Sequence, residues 1–109
     1  MTLKNKTTTA RLPKNRPPVH PGEILSEEYM LPLNLTQHVM ADHLKISRKH
    51  LIDIIHGYRP VSLEIAQRLA KLFQTSIDFW SKGQMAFDIW HAVHYPSKEL
   101  KEIKPLRLA

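Results

Sequence analysis

The sequence predicts an all-α fold of five helices. Apolar residues recur every three or four positions from residue 20 onward, helix-capping residues precede each such run, and no segment shows a convincing strand-like alternation of apolar and polar residues. The chain has 109 residues, of which 42% are hydrophobic, enough for one small core. We expect the folded domain at residues 19–95, between a flexible basic tail at 1–18 and a C-terminal extension at 96–109.

The first two helices are delimited by proline and threonine. Pro21 fits the first position of a helix, because the N–H group that proline lacks has no partner there. Pro32 ends this helix near Leu31, since the residue before a proline avoids the α conformation. The side chain of Thr36 can cap a second helix, which we place at Gln37–Leu44.

The remaining helices share one signature, a serine or threonine cap before an apolar run at helical spacing. Gly57 suits the left-handed position that ends the third helix. The residues after Pro96 show only a weak alternation of Lys and Glu and are predicted to form a loose extension. The predicted helices are Arg48–His56 after Ser47, Leu63–Phe73 after Ser62, and a fifth from Thr75 or Ser76 to about His94.

The segment from Gln37 to His56 matches the pattern of a helix-turn-helix. Two short helices in this motif cross at about 90–120° and touch at a small residue, for which Ala41 is suited. Leu51 and Ile54 supply inward apolar positions that make the pair rigid. The turn position often held by glycine is Lys45, and a lysine with positive φ costs roughly 1 kcal/mol, unless the turn is built differently.

In such a motif the second helix presents its N-terminal side chains to the major groove of DNA. Arg48 or Lys49 can donate to guanine, and Asp53 can accept from a cytosine amino group. Polar groups at helix starts, and those just past the helix, suit phosphate contacts. The predicted DNA-binding residues are Gln37, Ser47, Arg48, Lys49, His50, Asp53, Tyr58 and Arg59.

The distribution of charge also points to a polyanionic partner. The net charge is +6, and residues 1–20 hold five basic groups and no acid, whereas residues 21–95 hold seven basic and eight acidic groups. Excess positive charge is typical of nucleic-acid-binding proteins, although basic tails can also serve solubility alone. The alternative for the helix pair is a solvated surface of an ordinary helix bundle, whose charges have no target.

Five short blocks occur in a fixed order over about residues 18–94. They are HPGEIL at 20–25, LKISR at 44–48, IHGYRPVS at 55–62, AQRLA at 66–70 and FW at 79–80. Together they resemble the HigA-type antitoxins of the Xre group, whose fold is like that of the lambda repressor. The resemblance implies a homodimer that binds a palindromic operator in double-stranded DNA and represses its own operon. It also implies a partner toxin of the HigB or RelE-like class, an mRNA-cleaving enzyme that the antitoxin neutralises.

Two surfaces are predicted to contact protein partners. The late apolar residues exceed what a small bundle must bury, so we expect a two-fold dimer formed mainly by the fifth helix. Acidic residues on the first helix would complement a basic toxin, or they form only a solvated helix face. The predicted dimer residues are Phe87, Trp90 and Val93, and the predicted toxin-binding residues are Glu23, Glu27 and Glu28.

Other classes of function have less support in the sequence. Cysteine is absent, which excludes disulfides and thiolate metal sites. His91 and His94 share a helix face but lack a third ligand, so we predict no metal and no cofactor. No catalytic constellation or membrane-spanning run is visible, and we expect a cytoplasmic protein that is not an enzyme. The alternatives are a stand-alone Xre-type regulator with no toxin and a helical protein–protein interaction module.

Overall fold

The computed structural model describes residues 16–107, which form six helices. They are α1 at Pro21–Ile24, which continues as a π-helical segment at Leu25–Met30, α2 at Gln37–Leu44, α3 at Arg48–Ile55, α4 at Leu63–Phe73, α5 at Ile77–His94 and α6 at Lys98–Glu102. Within this range there is no β-strand, and the all-α prediction is confirmed. Most of the predicted basic tail lies outside the described residues. None of the helices over this range is long and apolar enough to cross a membrane.

Helices α2 to α5 each begin at a side-chain cap that the sequence predicted. The hydroxyl groups of Thr36, Ser47, Ser62 and Ser76 accept hydrogen bonds from the backbone N–H groups three residues on, at 3.2, 3.0, 3.2 and 3.0 Å. Of the two candidates for α5, Ser76 is therefore the cap. Thr75 instead accepts a hydrogen bond from Nε1 of Trp80 at 2.8 Å.

The first helix differs from the regular α-helix expected up to Leu31. It winds more widely after Ile24, and the N–H group of Leu31 donates to the carbonyl of Ser26, five residues earlier, at 3.0 Å. Leu25 and Met30 are both buried. Residues five apart point about 140° away from each other on an α-helix, whereas a π-helix brings them to nearly the same side. The wider winding thus buries both side chains, which a 3.6-residue periodicity does not anticipate.

The core lies between the first helix and helices α2 to α5. Trp80, Leu51, Ile54 and Leu69 are completely buried in it. Helix α4 packs against α5, and α2 packs against both α3 and α4. Helix α3 is held by α1 on one side and by α2 on another, which fixes the position of its exposed face.

The start of the first helix is tied to α5 through His20. Its Nδ1 accepts a hydrogen bond from the N–H group of Gly22 at 2.9 Å, so this histidine caps the helix. The buried imidazole meets the ring of Phe87 edge-on, with 4.8 Å between the ring centroids. A separate hydrogen bond connects α5 to the segment between α3 and α4. Oε1 of Gln84 accepts it from the N–H group of Val61 at 2.8 Å. The sequence analysis found neither link.

Helix α6 lies in the segment that the sequence predicted as a loose extension. Ser97 caps it by accepting from the N–H group of Leu100 at 3.2 Å. Glu99 lies in its first turn and Lys101 in its last, and both positions favour a helix through its macrodipole. All its residues are exposed. Local capping and charge, rather than packing, therefore account for this sixth helix.

Candidate nucleic-acid interface

Helices α2 and α3 are joined by a tight turn built around a left-handed residue. Lys45 has φ of 60° and ψ of 42°, as required of a lysine at the usual glycine position. Its N–H group donates to the carbonyl of Asp42 at 3.2 Å, and the N–H group of Ile46 donates to the carbonyl of Ala41 at 3.1 Å. Ala41 is buried, as the contact between the two helices requires. The predicted helix-turn-helix is confirmed.

The N-terminal turn of α3 exposes basic side chains. Ser47 begins the helix, and Arg48 and Lys49 follow it on the surface. Nζ of Lys49 lies 2.9 Å from Oδ2 of Asp53 on the next turn, although the lysine side chain is 79% exposed and that of Asp53 only 16%. The carboxylate of Asp53, predicted to accept from a cytosine amino group, is therefore paired with Lys49 within the helix.

His50 lies between this basic turn and the body of the protein. Its partial burial lowers the pKa of the imidazole, and the positive charge of Arg59 lowers it further. Asp53 opposes these effects by raising the pKa, and Arg68 adds to the lowering. In the protein alone, these surroundings therefore favour the neutral form of the imidazole.

The chain just past α3 turns back on the helix through Asp53. The N–H groups of Tyr58 and Arg59 both donate to the backbone carbonyl of Asp53, at 2.8 and 3.1 Å. The ring of Tyr58 stacks on that of His56, and the tyrosine is 81% exposed. Of the predicted DNA-binding residues, five are exposed (Ser47, Arg48, Lys49, Tyr58 and Arg59) and three are half-buried (Gln37, His50 and Asp53).

Sequence reasoning missed the arginine that holds the turn. Nη1 of Arg68, in α4, donates to the carbonyl oxygens of Leu44 and Lys45 at 3.0 and 3.1 Å. Nη2 donates to Oε2 of Glu64 at 2.7 Å, one turn earlier in α4. The spacing of Glu64 and Arg68 predicts a salt bridge within the helix. The carbonyl groups at the turn lie more than 20 residues earlier in the chain, and no local pattern reveals them.

The predicted dimer residues all lie on α5 but differ in exposure. Phe87 is half-buried and packs against His20 of its own chain. Trp90 is also half-buried, and its ring stacks on that of His94 with 3.8 Å between centroids. Val93 is 68% exposed. Part of the predicted surface is thus used within the chain, while other large apolar side chains of α5 are exposed beside it, namely Met85 and Ile89.

The predicted acidic surface lies at the first helix. Glu23, Glu27 and Glu28 are all exposed. The change to π-helical winding after Ile24 falls between Glu23 and the other two. The i,i+4 spacing of Glu23 and Glu27 therefore does not place their carboxylates as it would on a regular α-helix.

The two histidines considered above as metal ligands each form a hydrogen bond along α5. Nδ1 of His91 lies 3.0 Å from the carbonyl oxygen of Phe87, and Nδ1 of His94 lies 2.8 Å from that of Trp90. Over residues 16–107 no group of three or more His, Asp or Glu side chains is arranged to hold a metal ion.

Comparison with known proteins identifies the family of this fold. Residues 27–80 match a family model described as helix-turn-helix. The chain is 41% identical over 75 residues to the uncharacterized HTH-type transcriptional regulator YbaQ of Escherichia coli K12. The match covers 69% of this chain and 66% of YbaQ, so this chain spans slightly less than two thirds of the length of that regulator. It is 30% identical over 91 residues to the antitoxin HigA-1 of Vibrio cholerae, across 84% of this chain and 86% of the antitoxin. The chain belongs to the HigA family of helix-turn-helix antitoxins.

A solved HigA structure shows the same architecture. The Pseudomonas aeruginosa antitoxin HigA with the higBA promoter is 34% identical to this chain and superposes with a TM-score of 0.72. The match covers 83% of this chain and 99% of that antitoxin. The HigA fold therefore includes the helix-turn-helix and the helices that support it, as the five sequence blocks predicted.

Proposed function

We propose that this protein is a sequence-specific DNA-binding antitoxin that represses its own operon and neutralises a partner toxin. The observation that carries the proposal is the α2–turn–α3 unit, which exposes Arg48 and Lys49 at the start of α3. The chain is also 34% identical to a HigA antitoxin whose structure includes promoter DNA. A repressor of this kind acts in the cytoplasm, where its operon lies, and is not an enzyme.

The side chains on and beside α3 divide the work of DNA recognition. Arg48 suits a bidentate contact to guanine in the major groove. Lys49 and Asp53 form a salt bridge with each other, so we expect the two side chains to meet the base edges together. Tyr58 and Arg59 lie where the chain leaves α3 and suit the phosphate backbone. Ser47 and Gln37 stand at helix starts, where neighbouring backbone N–H groups can bind phosphate.

The variant Arg48→Ala tests this assignment. Loss of a base contact weakens operator binding by about 1–3 kcal/mol and relaxes specificity at one base pair. Loss of a phosphate contact lowers affinity about equally on every sequence and makes its salt dependence shallower. Lys82→Ala is the control, because it removes a surface-exposed cation from α5, outside the helix-turn-helix. Unchanged affinity of Arg48→Ala on every duplex would refute both roles.

A single helix-turn-helix covers only one half-site, so the proposal includes a homodimer on a palindromic operator. Two half-sites about one helical turn apart are read by two copies related by a two-fold axis. Helix α5 carries the exposed apolar side chains that a second copy can cover, among them Val93. The partner copy then places its own α3 in the adjacent major groove.

The toxin partner of the proposal is an mRNA-cleaving protein of the HigB or RelE-like class. Such a toxin binds RNA and is expected to be basic, so the exposed Glu23, Glu27 and Glu28 of the first helix offer a complementary surface. Changing all three to Lys should abolish capture of the toxin encoded beside this gene. The control changes Glu99 and Glu102, on α6, to Lys. Undiminished capture and neutralisation by the folded triple variant would exclude this surface.

A stand-alone regulator makes the same DNA contacts but has no toxin to capture. The reading frame next to this gene distinguishes the two functions. A small basic protein encoded there, whose toxicity this chain suppresses, supports the antitoxin. Operator binding without any such neighbour supports the regulator.

A further inference from the structure

We propose that Arg68 is a positioning residue that fixes the orientation of α3 and so determines the specificity of DNA binding without contacting DNA. The inference rests on the proposed function, because it concerns how the same helix-turn-helix reads its operator. Arg68 lies on α4, outside the helix pair, and reaches the turn between α2 and α3. No pattern in the sequence assigns it a role in recognition.

The C-terminal end of α2 provides carbonyl groups that favour a nearby cation such as the guanidinium of Arg68. The last carbonyl groups of a helix have no partner within it and carry partial negative charge. The carbonyls of Ala41 and Asp42 accept from the N–H groups of Ile46 and Lys45. Further along the turn, the carbonyls of Leu44 and Lys45 both accept from Nη1 of Arg68, at 3.0 and 3.1 Å. The guanidinium thus adds to the cap of α2.

The guanidinium is itself held in one orientation. Nη2 donates to Oε2 of Glu64 at 2.7 Å, while Nη1 faces the turn. A planar guanidinium with both ends bonded cannot rotate without breaking one of these contacts. Its side chain is only 37% exposed. Arg68 is therefore a fixed strut between α4 and the turn, and a poor candidate for a mobile phosphate contact.

The contact between Arg68 and the turn also affects the face of α3 proposed to bind DNA. Lys45 is in the left-handed region, a conformation that is strained for a residue other than glycine and relaxes unless its surroundings maintain it. Only Ile46 separates Lys45 from Ser47, the cap of α3. A change in the backbone angles of Lys45 consequently rotates α3, which moves Arg48 and Lys49 relative to base edges.

Binding of the full-length protein to operator and shuffled duplexes tests the proposal. Arg68→Ala should reduce operator affinity about tenfold or more, since bonds to a charged group are lost. Affinity for the shuffled duplex and the salt dependence of binding should change little. Arg68→Lys keeps the positive charge, but its single nitrogen cannot bond to the turn and to Glu64 as the guanidinium does. It should therefore bind the operator with little more preference than Arg68→Ala. Lys71→Ala, on the same helix, is the control for loss of one positive charge.

A direct phosphate contact would give different results. Affinity would then fall equally on both duplexes, the salt dependence would become shallower, and Arg68→Lys would restore binding. This outcome would overturn the proposal. Where Arg68→Ala does not fold, Glu64→Gln replaces it, because it weakens the anchor of the guanidinium while leaving Arg68 in place. Glu64→Gln should lower the preference for the operator less than Arg68→Ala does. An unchanged preference would contradict the positioning role of Arg68.

Amide hydrogen exchange gives a readout that does not depend on DNA. In Arg68→Ala, exchange of the Lys45 and Ile46 amides should accelerate about tenfold, whereas amides in the middle of α5 should be unaffected. Unchanged exchange at the turn would refute the positioning role even if DNA binding were weaker. If the wild-type protein showed no preference for its operator, the proposed function would fail, while the exchange data would still decide whether Arg68 holds the turn.

Discussion

Gly22 in α1 lies directly against the backbone carbonyl of Ile54 in α3. A Cβ added to Gly22 would overlap that carbonyl oxygen and crowd its carbon and the Cα of Ile55. Only glycine permits this approach, because the obstructing atoms are backbone and cannot rotate away. The glycine of the HPGEIL block therefore sets the distance at which the first helix supports the recognition helix α3.

Alanine substitutions at two glycines should have opposite effects on stability. Gly22→Ala should lower the free energy of unfolding by about 1–3 kcal/mol, because α1 must move away from Ile54. At Gly83, within α5, an added Cβ would meet only Cγ of Pro21 at an ordinary 3.5 Å. Gly83→Ala should therefore raise the free energy of unfolding by about 0.5–1 kcal/mol, the usual gain inside a helix. Urea unfolding measures this free energy for both variants. If both were more stable than wild type, or both less stable, the result would contradict this packing.

The buried side chain of Gln84 should matter more than an exposed glutamine. Its Oε1 accepts from the N–H group of Val61 at 2.8 Å, and its Nε2 donates to Asp88 at 2.9 Å. Gln84→Ala leaves the N–H group of Val61 without its partner, at a cost of about 1–3 kcal/mol. Gln67→Ala, on the exposed face of α4, should stay within about 0.5 kcal/mol of wild type. Equal thermal stability of the two variants would show that the buried bond contributes nothing.

The histidine that caps the first helix should make stability depend on pH. Burial lowers the pKa of His20 below its usual value of 6.5; Asp88 raises it, and His91 lowers it further. The unfolded chain therefore binds more protons than the folded one, so stability is complete above about pH 6.5 and declines as the pH falls below it. His20→Asn keeps an acceptor for the N–H group of Gly22 but does not titrate.

Unfolding measured between about pH 7.5 and about pH 5.5 should show a larger loss of stability for wild type than for His20→Asn. The comparison isolates His20 from His50, whose pKa is lowered in both proteins. Identical pH dependence of the two proteins would mean that the imidazole does not link protons to folding.

The caps show which parts of the fold are encoded locally. Thr36, Ser47, Ser62 and Ser76 each form their bond within three residues, and the starts of α2 to α5 were predictable for that reason. Lys45 marks the limit of such local signals, since the sequence placed the turn there but left open whether the lysine is left-handed, as the structure shows it to be. The HPGEIL block includes Gly22, but the sequence did not reveal the contact of this glycine with Ile54.

The features that sequence reasoning missed depend on distant contacts. Arg68 bonds to carbonyls more than 20 residues earlier, and Gln84 bonds to an amide 23 residues earlier. The π-helical segment arises because Leu25 and Met30 face one core, and the core is known only once α3 and α5 are in place. Such relationships leave no periodic pattern in the chain.

The dimer proposed on α5 should dissociate when its exposed apolar surface is charged. Val93→Lys places a charge on a side chain that is 68% exposed in the single chain and covered in the proposed dimer. The sedimentation coefficient should fall toward that of a monomer, and operator binding should weaken because two half-sites are no longer read together. Leu63→Lys, at a 66% exposed leucine on α4, should leave the dimer intact. Wild-type protein that sediments as a monomer at tens of micromolar would contradict the proposal.

Recognition of its own operator is the central claim, and a competition measurement tests it most directly. Fluorescence anisotropy should compare wild-type protein on the duplex upstream of its own gene with a shuffled duplex of the same composition, at one fixed salt concentration. The account predicts that the upstream duplex binds at least about 1,000-fold more tightly, as is typical of specific recognition. Equal affinity for the two duplexes would contradict it, whatever the affinity itself.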